Sequence, residues 1–450
     1  MASGIKDFSV TFGARMVTLV LSIASQSCLA WGLGVEGRGA YAVCSLIPAL
    51  LTLLFMLGCD VGVIYEVASK RQSLSQGVMH ITIYGLSASA VAIVAGIVCI
   101  HLRVPIFTKV APRELYLALA TIPLSFLAGV FAILLTSIRE FVVSAVFSII
   151  AGVLHVALAV LFVLILDWQV IGAILSLVVG NSLTLVGILA VMWRRYGLRL
   201  VRPDLARIRD MLHYGLRYYL GKLSNLANVE LGTILLALFA TKAEIGLFAV
   251  ASQATGRVEM IPNTLSSVLF PRVASTPGGR PDLVAQSARV SFLVCGALLA
   301  VLTAFATPLI YVLFSPDFLG SVPLIRILVL GVLLRCASKL FVPYLSGINR
   351  PGIASFAVGA GVLVNLALVV LLLPRIGLSG AAIAMCASYV VSSAILTFTF
   401  RRLSGLSLWE IVRPRKSDWE PMRRIWDRLR GRGAAEAGPN VSIDQDRPAP

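Results

Sequence analysis

The 450-residue chain is 58% hydrophobic and 13% charged, with a formal net charge of +17 and a mean hydropathy of +0.92. Soluble domains carry about 25% charged residues, so this chain has too few polar side chains to cover a water-facing surface, and its solvent must be largely lipid. No soluble domain of useful size fits between the apolar stretches, and residues 1–10 lack the basic start and small-residue cleavage site of a removable signal peptide.

A membrane helix needs about 20 apolar residues, and twelve such spans are predicted. Span one (residues 9–33) carries Thr11, Arg15, Thr18, Ser22, Ser25 and Gln26 at steps of three and four. At about 100° per residue they share one face of a helix. A bilayer tolerates a charge where it meets a cavity or a partner. The stripe therefore reads as cavity lining, with Arg15, Thr18, Ser22 and Gln26 as candidate substrate-binding residues. The plainer alternative is a helix–helix seam joined by Ser and Thr. Span two (40–64) contains Pro48, and Asp60 and Glu66 lie toward its C-terminal, cytoplasmic end. Spans three (78–101), four (115–138), five (142–166) and six (170–193) complete an N-terminal lobe, residues 1–193. Residues 194–217, with seven Lys and Arg, form a basic linker.

Span seven (215–240) sets Gly221, Asn225, Asn228 and Gly232 on one face. Asn225, Asn228, Glu230 and, in span eleven, Asn365 are candidate ligands of a coupling cation, Na+ or H+; helix packing is the alternative. Span eight (246–270) places Gln253, Arg257, Met260 and Thr264 on one arc and contains Pro262. On an α-helix Glu259 would lie about 200° from Arg257, so the two are expected to face apart, and Glu230 is the candidate partner of Arg257. After span nine (290–314), span ten (322–347) puts Arg335 and Lys339 one turn apart on one face. Gln253, Arg257, Arg335 and Lys339 join the candidate substrate-binding set. Spans eleven (354–373) and twelve (378–400) close a C-terminal lobe, residues 218–402.

Residues 403–432 are basic and amphipathic. From Ser417 to Glu420 they show a capping-box pattern, followed by an apolar stripe of Trp419, Met422, Trp426 and Leu429 among arginines. This predicts an interfacial helix that binds anionic membrane lipids. Residues 433–450 have the composition of disorder.

With the N-terminus inside, 26 of the 38 Lys and Arg, Arg289 among them, fall in inside loops. Only Arg38, Arg103, Lys109, Arg113, Lys242 and Arg375 fall outside. The positive-inside rule then places both termini in the cytoplasm and the chain in a bacterial inner membrane. The net charge is a topology signal, and no nucleic acid partner is expected. The seven cysteines lie in apolar stretches without a CxxC pair, so neither a disulfide framework nor a metal site is expected.

The halves repeat. Residues 39–45 align with 246–252, Gly172-Ala173 with Gly380-Ala381, and Arg194-Arg195 with Arg401-Arg402, all at nearly one offset. Six spans per half give both lobes the same orientation, a parallel repeat.

Four stretches carry a family resemblance: Gly-Val-Glu-Gly-Arg-Gly-Ala-Tyr-Ala at 34–42, Tyr-Leu-Ser-Gly-Ile-Asn-Arg-Pro-Gly at 344–352, Ala-Gly-Val-Leu-Val-Asn at 360–365, and Pro-Arg-Ile-Gly-Leu-Ser-Gly-Ala-Ala-Ile at 374–383. Over residues 5–402 the chain resembles the polysaccharide biosynthesis proteins. These are the O-antigen and exopolysaccharide flippases of the multidrug/oligosaccharidyl-lipid/polysaccharide exporter superfamily. The resemblance implies an all-α membrane fold of two six-helix lobes around a central cavity. It also implies translocation of an undecaprenyl-diphosphate-linked oligosaccharide, alongside other polysaccharide assembly proteins. Arginine binds phosphate bidentately and lysine binds it as a point charge, so embedded cations suit such a substrate. They suit a multidrug exporter's cationic drugs poorly, and span one lacks the carboxylate that proton-coupled exporters carry there. A membrane polymerase or ligase is the third alternative. Its case is weak, because the longest external loop runs only over residues 103–114 and no nucleotide-binding glycine loop is present. A transporter without catalytic residues or cofactor is expected.

Overall fold

The computed structural model describes residues 2–138, 140–274, 280–348, 350, 352–413, 415 and 418; side chains are described except at 2–12, 217–218, 220–233, 267–268, 271–272, 274 and 412. Among the described residues every regular element is helical. In lipid a helix satisfies its own backbone groups, which an open strand cannot do.

Nine stretches among the described residues are long and apolar enough to cross a membrane. One of them, Gly13–Met56, contains both span one and span two. A straight helix would hold Gln26 and Arg38 about 18 Å apart along its axis, yet their side chains hydrogen-bond. The chain therefore doubles back between them, at Gly34, whose φ of 63° and ψ of −174° lie outside helical space and are open to glycine. Span seven lies in Leu205–Phe239. Span eight is Lys242–Gly256 and Met260–Ala274 joined by the tight turn Arg257–Glu259. With these the twelve crossings of a multi-pass membrane protein are accounted for.

The breaks follow backbone chemistry. Span two is interrupted at Leu57 and Gly58, both at positive φ, while Pro48 sits inside an unbroken helix. Span eight is interrupted just ahead of Pro262, which has no N–H to return to Val258.

The two lobes repeat one architecture. A Cβ on Gly172 would stand 2.7 Å from the Phe162 oxygen, and one on the equivalent Gly380 would stand 2.6 Å from the Leu372 oxygen. Each glycine lets its helix rest on the backbone of the one before it. The two halves meet at both ends, at one of them through the linker and the helix Leu205–Phe239 that continues it into span seven. At the end carrying the linker, the Asp204 N–H donates to His80 Nε2 at 3.1 Å, and the rings of Tyr65 and Tyr214 stack at 3.8 Å. At the far end the equivalent Gly39 and Gly246 face each other. A Cβ on Gly39 would fall 1.7 Å from the Lys242 oxygen, and one on Gly246 2.3 Å from the Val35 oxygen. Only glycines permit this seam.

Arg289, assigned to a loop on sequence grounds, is instead a buried residue of helix Pro281–Ala304. Its Nε and Nη2 donate to the two Asp418 carboxylate oxygens, both at 2.7 Å. Its Nη1 donates to the Glu410 carbonyl at 2.6 Å. The segment after Gly405 is thus tied to the second lobe, and its short helix Leu408–Val412 begins with a Ser407–Glu410 capping box. The capping box and interfacial helix expected over 417–432, and residues 433–450, lie outside the described residues except for Asp418.

Burial opposes the Asp418 carboxylate, but hydrogen bonds from Arg289 and from the Arg415 N–H outweigh it and hold its pKa below the ordinary value. A depressed folded-state pKa stabilises at neutral pH and loses its contribution as pH falls through that lower value. Asp418→Asn is therefore expected to speed proteolysis of the segment after Gly405 at pH 7. The wild-type segment should loosen only below about pH 4, under the ordinary carboxylate range. Equal cleavage of variant and wild type at pH 7 would show that the ion pair does not hold this segment.

Candidate functional site

A cavity of about 760 Å³ lies between the lobes. The first lobe contributes Gln26, Ser45 and Ala49; the second contributes Gln253, Arg257, Glu259, Arg335, Lys339 and Tyr389. A second cavity, of about 420 Å³, is lined by Arg15, Thr18 and Ser22 of span one and by Arg257, Asn263 and Thr264 of span eight. Arg257 and Asn263 are walls of both, so the two spaces adjoin.

Of the polar stripe of span one, Arg15, Thr18 and Ser22 line the smaller cavity and Gln26 lines the larger. Thr18 and Ser22 donate to the carbonyls of Arg15 and Leu19 at 3.0 and 2.7 Å. Each hydroxyl is satisfied within its own helix while its lone pairs stay available. Arg15, Thr18, Ser22, Gln26, Gln253, Arg257, Arg335 and Lys339 all line one of the two cavities or both.

The structure bears on three expectations. The first is that Glu259 and Arg257 face apart. A three-residue turn advances about 120° per residue rather than 100°, which narrows the angle between them, and both line the larger cavity. The second concerns Arg335 and Lys339, expected as substrate-binding residues with an ion pair joining helices as the alternative; the ion pair forms. Lys339 Nζ lies 3.1 Å from one Glu259 oxygen and Arg335 Nε lies 3.4 Å from the other. The Arg335 guanidinium covers the Tyr389 ring at 4.6 Å, and its Nη1 has no partner among the described residues.

The third concerns Arg38, placed in an outside loop by the hydropathy reading. It lies in the helical run before Met56 and is 1% exposed. Its Nη2 donates to the side-chain oxygens of Gln26 and, at 3.1 Å, Gln253, one from each lobe. Hydropathy treated Arg38 as a loop boundary. The signal that it is buried was its setting between Gly37 and Gly39, where small residues permit close helix contact.

Among the coupling-ion candidates only Asn365 has a described side chain. Asn365 is buried in Gly352–Ile376, is not among the residues lining either cavity, and has an Oδ1 unpartnered among the described residues. Asn225, Asn228 and Glu230 belong to Leu205–Phe239, and their side chains lie outside the description. The expected Arg257–Glu230 contact lies there too.

Comparison with known proteins agrees with the architecture. Over 190 residues the chain is 27% identical to the uncharacterized membrane protein MJ1068 of Methanocaldococcus jannaschii, covering 41% of this chain and 38% of that one. Over 202 residues it is 24% identical to the probable low-salt glycan biosynthesis flippase Agl15 of Haloferax volcanii, covering 44% and 43%. The match thus spans less than half the length of either relative. Two solved structures share the fold. One is an inward-facing multidrug resistance MATE family transporter of the MOP superfamily, with a TM-score of 0.73 at 15% identity, covering 87% of this chain and 98% of that one. The other is the lipid II flippase MurJ in an inward closed conformation, with a TM-score of 0.67 at 13% identity, covering 95% and 100%. Residues 5–276, more than half of the sequence, match the polysaccharide biosynthesis protein family, and the chain belongs to that family.

Proposed function

We propose that this protein is a flippase. It carries an undecaprenyl-diphosphate-linked oligosaccharide from the cytoplasmic to the outer leaflet of the cytoplasmic membrane, by alternating access of its two lobes. The observation that carries this reading is that Arg15 and Arg257, one from each lobe, wall the same cavity. A diphosphate is a compact dianion that two guanidinium groups grip through paired hydrogen bonds. A ligand held by both lobes sits where rocking of one against the other exposes it to alternate sides. Arg335 and Lys339 carry two positive charges against the single carboxylate of Glu259, which adds to the cationic character of the path. A cationic drug would meet repulsion from this wall.

The names of two similar proteins, a glycan biosynthesis flippase and a lipid II flippase, support a lipid-linked glycan as cargo. In this reading the linker end is cytoplasmic, as the loop charges ask. A coupling cation, Na+ or H+, would be sought at Asn225, Asn228, Glu230 and Asn365.

Purified protein in liposomes holding an undecaprenyl-diphosphate-linked oligosaccharide is expected to deliver the glycan to an impermeant lectin outside. Transport of a cationic dye, with the glycan left inside, would favour the drug exporter. For orientation, a reporter active only in the periplasm should be silent when fused after Arg402 and active within residues 103–113. The reverse pattern would invert the topology.

A further inference from the structure

Among the described residues Arg38 is a buried charge without a countercharge. It is 1% exposed, and its contacts are two neutral amide oxygens and the face of the Tyr41 ring, 5.3 Å away. No carboxylate among the described residues pairs with it, and its Nε has no partner among them either. A buried guanidinium left in this condition is costly, and it has unused capacity to bind an anion. It stands at the far end of the path, four residues beyond the turn at Gly34 and next to Gly39 of the glycine seam. Gln26 and Gln253, to which it donates, are themselves walls of the large cavity. Gln253 lies one helical turn from Arg257 on the same face.

We propose that Arg38 is a further anion-binding residue of the transport path and the latch of its far end. Resting on Gln26 and Gln253, it ties the lobes together beside the glycine seam. An anion passed up from Arg257 takes the hydrogen bonds that Arg38 gives to the glutamines, and the seam is freed to part. The exchange is favourable because a hydrogen bond between two charged groups is about twice as strong as a neutral one. It also makes opening depend on cargo, since a ligand shifts a conformational equilibrium only through its preference for one state. The inference rests on the reading that Arg15 and Arg257 receive a diphosphate.

The test uses inorganic pyrophosphate as the probe and the full chain in detergent, with the seven native cysteines replaced. Spin labels go on Thr108→Cys and Asp317→Cys, two exposed far-end positions, one in each lobe. Pulsed electron resonance reads the distance between them, and calorimetry reads pyrophosphate binding. In the otherwise unaltered protein, pyrophosphate is expected to raise the long-distance population. In Arg38→Gln that population should be raised about tenfold without pyrophosphate, the effect of losing one hydrogen bond to a charged group, and pyrophosphate should add nothing. Gln253→Glu gives Arg38 a permanent countercharge and should hold the distance short with or without pyrophosphate. This second variant keeps the test decisive where Arg38→Gln fails to fold. Pyrophosphate that binds, with distances in both variants matching the parent, overturns the latch and leaves the functional reading standing. Absence of pyrophosphate binding in the parent overturns the functional reading, and the latch with it.

Discussion

Replacing Arg257 by Ala is expected to abolish polysaccharide export while the protein remains in the membrane at its normal level, and Arg15→Ala is expected to do the same. Both side chains wall one cavity from opposite lobes, so each removal takes away half of the grip on a diphosphate. Truncating one partner of a hydrogen-bonded charge pair costs about 2–5 kcal/mol, which is on the order of a 30-fold loss in affinity or more. Lysine in place of either arginine keeps the charge but not the fork. It should be tolerated at a point-charge site and fail at a bidentate one. The competing account is that Arg257 only pairs structurally with Glu230. It requires that Arg257→Ala deplete the protein, and that the charge-swapped pair Arg257→Glu, Glu230→Arg restore export. Restoration by the swap, or full export from both alanine variants, would defeat the substrate-binding claim.

The second large effect is on stability. Glu259→Ala is expected to deplete the protein from the membrane, because it leaves Arg335 and Lys339 one turn apart with no negative partner. Arg335 is only 8% exposed, and breaking a buried ion pair by removing one member costs about 3–5 kcal/mol, a large part of a typical protein's stability. Removing the cations as well, as in Glu259→Gln with Arg335→Gln and Lys339→Gln, should bring the protein level back by relieving the unpaired charge, while export stays impaired. Immunoblots of membrane fractions read the level and surface glycan reads the export. A normal level of Glu259→Ala would show that the carboxylate does not hold these helices.

The two experiments separate roles that look alike in a list of embedded charges. Arg15 and Arg257 line one cavity from opposite lobes. Arg335 and Lys339 are drawn to a carboxylate within their own lobe, so their loss is felt first in folding.

The sequence by itself determined the helices, the number of crossings and the two-lobed repeat. These follow from local periodicity and from the bilayer's demand that every backbone group find a partner within its own segment. Arg15, Thr18 and Ser22 line one cavity because spacing along one helix is enough to share a face. Tertiary structure decided what spacing cannot carry. Glu259 stands at a narrower angle to Arg257 because three residues ahead of Pro262 wind more tightly than an α-helix. Its pairing with Lys339 joins residues 80 positions apart. Arg38 became a buried bridge because Gly39 and Gly246 bring two lobes into backbone contact, and Gln253, its partner across that seam, lies 215 positions away. Hydropathy records where a charge interrupts an apolar run; only the packing of one lobe on the other decides whether that charge meets water or is enclosed.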